Sequence, residues 1–446
     1  MPMLMEIYTH APFALKRLFA NAEAIRRDSY RKYKGYEELC DSINFNSIMS
    51  GEGIDTQSSL IEEILISIKM DVEYYRDLPD FNTLQELPLI SKEEYRLKSK
   101  KFLADGLNRK HCWVGKTSGS TGTPLSFLNY RDTVRTVKAY QEKFLDDIGI
   151  SLSDRSARIS GVLITTFNRE KPPYWIYIDK YKQLQLSPYH ISQKTFSFYI
   201  DAMKTYKVSY GKGYPNSWLF LAEYLSSTGI KPPRLKAIIT DSEGVTSEQQ
   251  KLIEYTFECP VYQTYGLGEI GQIGVQCSEG HYHIIPTLCY AEIVDEDSMK
   301  LPNGQRGEIV LTNLVSAKTP IVRYRTGDYG TLEEGVCLCG WKTQYLTNID
   351  GRLDDYVIGK DGRQINRLSH VIKPAVGVME SQIIQEKLGE IRLMIVPGKD
   401  FKASSMKEVV SNAQNFLGDM EIKWELVPSL ERTKNAKVRR VVRKME

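Results

Sequence analysis

The chain has 446 residues, with 59 Lys and Arg against 56 Asp and Glu. At roughly 100–200 residues per domain this length predicts two to three domains, and 41% apolar with 26% charged residues is a globular composition, not a disordered one. A formal net charge of +3 gives no chain-wide electrostatic case for a nucleic-acid partner.

Residues 1–110 read mainly as helix, and 58–78 carries Leu60, Ile61, Ile64, Leu65, Ile68 and Val72 at helical spacing. The middle of the chain alternates strand and helix. Residues 234–240 form an apolar run fit for a buried strand, and Asp241-Ser-Glu-Gly244 breaks it. Thr246 and Gln249 then offer a capping box for a helix carrying Leu252, Ile253 and Phe257, which Cys259-Pro260 ends. Residues 261–265 read as the next strand and 266–269 as its loop. Strands joined through a helix run parallel, so both loops fall at one carboxyl edge, where open α/β sheets bind ligands. From about residue 286 the pattern turns strand-rich, with Pro302-Asn-Gly304 as a turn between two alternating runs. A strand at 391–396 and a helix at 404–417 follow a domain boundary placed near Asp354. No basic apolar leader and no run of about 18 apolar residues occurs, so no membrane span is predicted and the cytosol is the expected compartment. Reduced cysteines follow from that.

Four segments carry chemistry. Thr117, Ser118, Gly119, Ser120, Thr121, Gly122 and Thr123 offer hydroxyls and small backbone to phosphate oxygens; a plain Ser/Gly loop has the same composition. Tyr265-Gly-Leu-Gly-Glu269 sends a tyrosine and a carboxylate from one strand end, suited to a flat base and to Mg²⁺. Arg323-Tyr-Arg-Thr-Gly-Asp328, with Gly351-Arg-Leu-Asp-Asp355 after it, offers an aspartate to ribose hydroxyls and an arginine to the same sugar or a phosphate. Salt-bridged surface turns would look alike. The tail from Arg432 to Lys444 is dense in Lys and Arg, either a solvated run or the source of one lysine for a phosphate.

In this order the segments, with Gly213-Tyr-Pro-Asn216, resemble the acyl-adenylate-forming ligase superfamily. Within it the likeness is to phenylacetate–coenzyme A ligases and the CapK type of capsular polysaccharide biosynthesis, from about residue 85 to the end. The resemblance implies an α/β fold. A large domain, 1–353, would hold parallel and mixed sheets with a β-rich subdomain. A small mobile α+β lid, 354–446, would hinge at Asp354. It implies activation of a carboxylic acid by ATP as acyl-AMP, then transfer to coenzyme A or to an amine acceptor. Carried over residue by residue, Thr117 to Thr123 would wrap the phosphates. Tyr265 and Gly266 would meet adenine, with Ser242, Glu243 and Gly244 lining that pocket. Glu269 would hold Mg²⁺, and Asp328 and Arg352 the ribose. Lys437 would bridge the α-phosphate and the carboxylate. Tyr214, Pro215 and Gly268 would belong to an acyl pocket built from residues 211–217, 241–243 and 262–268. Two positions depart from the superfamily pattern: Leu125 replaces a lysine after the phosphate loop, as in the phenylacetate branch, and Ala436 replaces the glycine before Lys437. A noncatalytic nucleotide-binding homologue is the reading from another class.

Cys277, His281, His283, Cys337 and Cys339 supply three thiols and two imidazoles, enough for a tetrahedral Cys₃His zinc site. Buried reduced cysteines beside a surface histidine are the other reading. The resemblance favours zinc, with His283 over His281 as ligand. Four protein ligands leave no open position, so the metal would be structural.

Overall fold

The structure is a computed structural model that describes the chain except residues 1–7, 9, 32–34, 117–124, 163, 167–168, 192–193, 243–246, 352–355, 363, 367, 369–377, 398–400, 429, 431–440 and 446. The chain divides into two compact units, Met1–Val114 with Leu128–Ile349, and Gly115–Phe127 with Asp350–Glu446. The architecture is α/β, as expected. No helix among the described residues is long and apolar enough to cross a membrane.

In the first unit the longer helices are α1 (Phe13–Arg31), α2 (Tyr36–Ser42), α3 (Gly53–Asp71), α4 (Arg131–Asp147), α5 (Phe196–Thr205), α6 (Pro215–Thr228) and α7 (Ser247–Phe257). Strands β1 (Cys112–Lys116) and β2 (Ser126–Tyr130) form a two-stranded ribbon. The main sheet contains β3 (Ser156–Ile159), β4 (Trp175–Ile178), β5 (Gln183–Leu186), β6 (Tyr210–Gly213), β7 (Ile238–Thr240), β8 (Val261–Leu267), β9 (Gly271–Gln276), β10 (Tyr282–Ile284), β11 (Cys289–Val294), β12 (Arg306–Asn313), β13 (Tyr324–Glu333) and β14 (Tyr345–Gly351). Its spatial order is β11-β12-β13-β14-β10-β9-β8-β7-β6-β3-β5-β4.

Strands β5, β3, β6, β7 and β8 pair parallel and make the expected carboxyl edge. From β8 onward the pairing described is antiparallel. Under one face of the parallel half lies a core that includes Tyr174, Tyr199, Trp218, Ile238, Ile253 and Phe257. Trp218 is fully buried, and its ring occupies the space that a Cβ on Gly211 would need. Helix α6 opens with Pro215, whose missing N–H costs nothing there, and closes on Gly229 at φ 67. Gly213 also has positive φ, and a Cβ there would run into the Ile159 carbonyl of the adjacent strand. That close approach requires glycine.

Three local expectations change. The helix expected over 58–78 stops at Asp71, because Val72 is extended, fully buried and bridged to Ala104. The strand expected over 234–240 is confined to Ile238–Thr240. The loop expected at 266–269 begins later: β8 continues to Leu267 through an irregularity at Tyr265/Gly266, where a side chain on Gly266 would meet the Gly271 carbonyl.

The second unit contains β15 (Tyr356–Ile358), β16 (Gln364–Asn366), β17 (Val378–Lys387), β18 (Glu390–Pro397), α8 (Ala403–Leu417), β19 (Glu421–Leu426) and β20 (Val441–Arg443). Its four-stranded sheet runs β19-β18-β17-β20. Ile391, Leu393 and Ile395 from β18 alternate inward against Val409, Ala413 and Leu417 of α8.

One buried ion pair fixes the start of β13. Arg323, at φ 47, donates to Glu292 Oε2 at 3.1 Å and Oε1 at 3.2 Å, with side-chain exposures of 5% and 0%. The same guanidinium donates to the carbonyls of Gln85 at 3.1 Å and Leu87 at 2.6 Å. A charge so enclosed is stable only while its partners stay. Glu292→Gln is expected to lower the unfolding free energy by about 3–5 kcal/mol, read from the urea midpoint; an unchanged midpoint would show that the pair does not hold β13.

Candidate functional site

Two motifs share the spacing Tyr-x-x-Gly-acid, Tyr265 to Glu269 and Tyr324 to Asp328. The fold crosses them. Tyr265 on β8 donates its hydroxyl to Asp328 Oδ2 at 3.2 Å, and Tyr324 on β13 donates to Glu269 Oε1 at 2.7 Å. Each tyrosine therefore holds the other motif's carboxylate. Burial, then the adjacent Asp328 carboxylate, raise the Tyr265 phenol well above its ordinary range, so its proton stays available for donation. Tyr324 and Glu269 are buried, while Asp328 is half-buried. The Asp328 backbone N–H donates to Thr326 Oγ1 at 2.9 Å, and the Gly327 N–H donates to Glu308 Oε1 at 3.1 Å. These bonds shape the irregular stretch of β13, opposite the register shift at Glu308/Val310, that presents Asp328.

Gly268 is exposed in the turn after β8. Tyr214 is half-buried after β6 and donates its backbone N–H to the Ile159 carbonyl at 2.8 Å; Pro215 is buried behind it. Ser242 is exposed at φ 72, and its hydroxyl donates to Asp241 Oδ1 at 2.9 Å. The structure thus brings Tyr265, Glu269 and Asp328 together, with Tyr324 as the member that sequence reading gave no role. The repeated Tyr-x-x-Gly-acid spacing was the available signal. Thr117, Ser118, Gly119, Ser120, Thr121, Gly122, Thr123, Glu243, Gly244, Arg352, Asp354 and Lys437 lie outside the described residues. Next to the first of these segments, Leu125 is fully buried, which suits an apolar residue.

Elsewhere in the first unit, Cys277, His283, Cys337 and Cys339 place one donor atom each within 4.8 Å of one another. Two alike turns build the cluster. Cys277 donates its N–H to the His281 carbonyl at 2.9 Å, and Gly280 donates back to Cys277 at 3.0 Å. Cys337 donates to Trp341 at 2.9 Å, and Gly340 donates back to Cys337 at 2.9 Å. Both glycines have positive φ. The shared signal is Cys-x-x-Gly, Cys277 to Gly280 and Cys337 to Gly340, which in the second turn overlaps the tight Cys-x-Cys. His283 is fully buried. The Thr343 hydroxyl donates to the Gln344 carbonyl at 3.1 Å, so it accepts from His283 Nδ1–H at 2.8 Å. That leaves a bare Nε2 facing Cys339 Sγ at 3.4 Å. Burial and His281 push the His283 imidazole down to about 4, hence neutral near pH 7. Burial also raises the Cys277 thiol and pushes Cys339 up to about 12, so a cation is what would favour their thiolates. This donor set fits a structural zinc ion. His281 stacks on Tyr345 and lies 3.3 Å from Cys337 Sγ, beside the four donors.

Residues 357–444 match the CapK C-terminal domain. Protein CapK of Staphylococcus aureus is 25% identical over 416 residues, covering 89% of each chain. The phenylacetate-coenzyme A ligase of Pseudomonas putida is 35% identical over 153 residues, 32% of this chain and 34% of that one. The chain is thus similar to adenylate-forming ligases of the CapK and phenylacetate–coenzyme A ligase type. A solved structure of 2-hydroxyisobutyryl-CoA ligase, in complex with 2-HIB-AMP and CoA, matches this ligase with a TM-score of 0.60 at 19% identity, over 88% of this chain and 90% of that one. Its likeness is one of fold.

The purified protein is expected to carry one zinc per chain by elemental analysis, and Cys339→Ser to lose most of it. Wild-type protein free of metal after purification without chelators would sink the assignment.

Proposed function

We propose that this ligase activates a carboxylic acid with ATP and transfers the acyl group to coenzyme A. The observation that carries the reading is the crossed tyrosine clasp, which holds two carboxylates, Glu269 in the turn after β8 and Asp328 on β13. Glu269 keeps one oxygen without a donor among the described residues, a suitable ligand for the Mg²⁺ that accompanies ATP. That ion would supply charge neutralisation at the phosphates. Asp328 has a half-exposed carboxylate for ribose hydroxyls, oriented by Tyr265.

In the first step the substrate carboxylate oxygen bonds to the α-phosphorus and pyrophosphate leaves. In the second, the thiol sulfur bonds to the acyl carbon, AMP leaves and the thiol proton is released. Lys437 is assigned to the charge that develops on the α-phosphate and the carboxylate, and Thr117 to Thr123 to the phosphates. The hinge is assigned to Asp354 and the ribose contact to Arg352. The phenylacetate–coenzyme A ligases among the relatives support a thiol acceptor. An amine acceptor is the second reading. The relative matched over nearly the full chain is CapK, whereas the phenylacetate–coenzyme A ligases match over about a third.

Carboxylate-dependent exchange of pyrophosphate into ATP is expected, and Lys437→Ala should lower it about 100-fold or more; unchanged exchange would remove Lys437 from the reaction. Adding coenzyme A should then give a thioester by mass spectrometry. Adenylate without thioester would move the acceptor to an amine.

A further inference from the structure

Among the described residues, the carboxyl edge of the parallel sheet sets three cations, Lys138, Arg158 and Lys212, against two carboxylates, Glu142 and Asp241. Lys212, one residue before the end of β6, pairs in register with Arg158 on β3 and Ile239 on β7, and Ile239 pairs with Tyr262 on β8. Residues paired side by side point to one face. From α4, Phe144 meets the Tyr262 ring edge-on at 5.6 Å, and the same helix carries Lys138 and Glu142.

Each of the two carboxylates there is met by a cation and a hydroxyl. Lys138 Nζ takes Glu142 Oε1 at 3.3 Å, and the Tyr36 hydroxyl takes Oε2 at 2.8 Å. Arg158 takes Asp241 Oδ2 at 3.1 Å, and the Ser242 hydroxyl takes Oδ1 at 2.9 Å. All four carboxylate oxygens are thus engaged. Lys212 is left with the Tyr210 ring, 4.9 Å from its Nζ, and with no carboxylate in ion-pair range among the described residues. Burial first, then Lys138 and Arg158, push this lysine down to about 7, against the weaker opposing pull of Glu142 and Asp241. A half-buried cation without a counter-charge is a costly arrangement unless a ligand completes it.

We propose that the acid activated by this ligase carries a second anionic group, at the end remote from its reacting carboxylate, which Lys212 receives. The inference rests on the adenylation reading and on the acyl pocket assigned to residues 211–217. Ile239 and Phe144, both buried, and the half-buried Tyr262 give this side of the sheet an apolar character that suits the body of such an acid, so the class is an anionic aromatic or medium-chain acid.

The test is pyrophosphate exchange with matched pairs: 4-carboxyphenylacetate and 4-sulfophenylacetate against the 4-methoxycarbonyl analogue, and adipate against its monomethyl ester. The wild-type enzyme is expected to favour the doubly anionic member by about tenfold or more in kcat/KM. Lys212→Met should bring that ratio towards one, and Lys212→Arg should keep part of it. A preference for carboxylate over sulfonate, or the reverse, identifies the anion. A ratio near one in the wild type, or an equal ratio in Lys212→Met, overturns the inference and leaves adenylation standing. No exchange with any acid overturns adenylation and this inference with it. Thermal unfolding keeps the variant interpretable: removing an unpaired ammonium should hold or raise the Tm. A fall of more than about 3 °C would show an ion-paired structural lysine and overturn the proposal.

Discussion

The guanidinium of Arg323 is the point on which the first unit's chemistry depends. It is enclosed on all sides by Glu292 of β11 and by two carbonyls of the helical N-terminal region, Gln85 and Leu87. The backbone repeats the connection. Ile90 donates to the Arg323 carbonyl at 2.9 Å and accepts from the Arg325 N–H at 2.9 Å, a one-residue parallel bridge. Exchanging water for these partners is favourable only when the buried guanidinium is well met, and all three of its nitrogens donate here, to a full carboxylate and to two peptide oxygens. The N-terminal helices, which carry no chemistry of their own, thereby set where β13 starts.

Tyr324 follows Arg323 directly and Asp328 follows four residues later. Fixing the start of β13 fixes both. The crossed hydrogen bonds then transmit that register to the turn after β8, since Tyr324 holds Glu269 and Asp328 accepts from Tyr265. Neither carboxylate is orphaned in a low-dielectric setting, since each accepts a tyrosine hydroxyl. Charge that is hydrogen-bonded in this way suits the roles proposed for the two acids, at a metal-bound triphosphate and at a sugar. Preorganisation of this kind avoids the reorientation cost at the moment of reaction.

Much of this was legible in the sequence, for identifiable reasons. The β7–α7–β8 unit was readable because apolar runs, a cap and Cys259-Pro260 all act locally. The helix ends at Phe257, and Glu258 at φ 51 turns the chain before the proline. The break at Val72 was not readable, because the residue fits a helical stripe and only its pairing with Ala104 pulls it out. Likewise β8 runs past Gly266 because β9 is present to pair with it, a tertiary fact. At the site, the residue types pointed to nucleotide chemistry, but the crossing of tyrosines depends on β8 and β13 approaching from distant parts of the chain. The surplus charge at Lys212 was invisible for the same reason: pairing off three cations and two carboxylates needs their neighbours in space.

The twin Cys-x-x-Gly turns carry one more consequence. One belongs to the β9–β10 connection and the other to the β13–β14 connection, and β10 lies beside β14 in the sheet. An ion held by both would close a loop of roughly sixty residues, removing chain entropy from the unfolded state much as a covalent tie does. The stability of the antiparallel half would then be a function of free metal concentration through mass action. The same fold would be firm in a zinc-replete environment and looser under metal limitation, with Tyr324 and Asp328 on β13 subject to that supply.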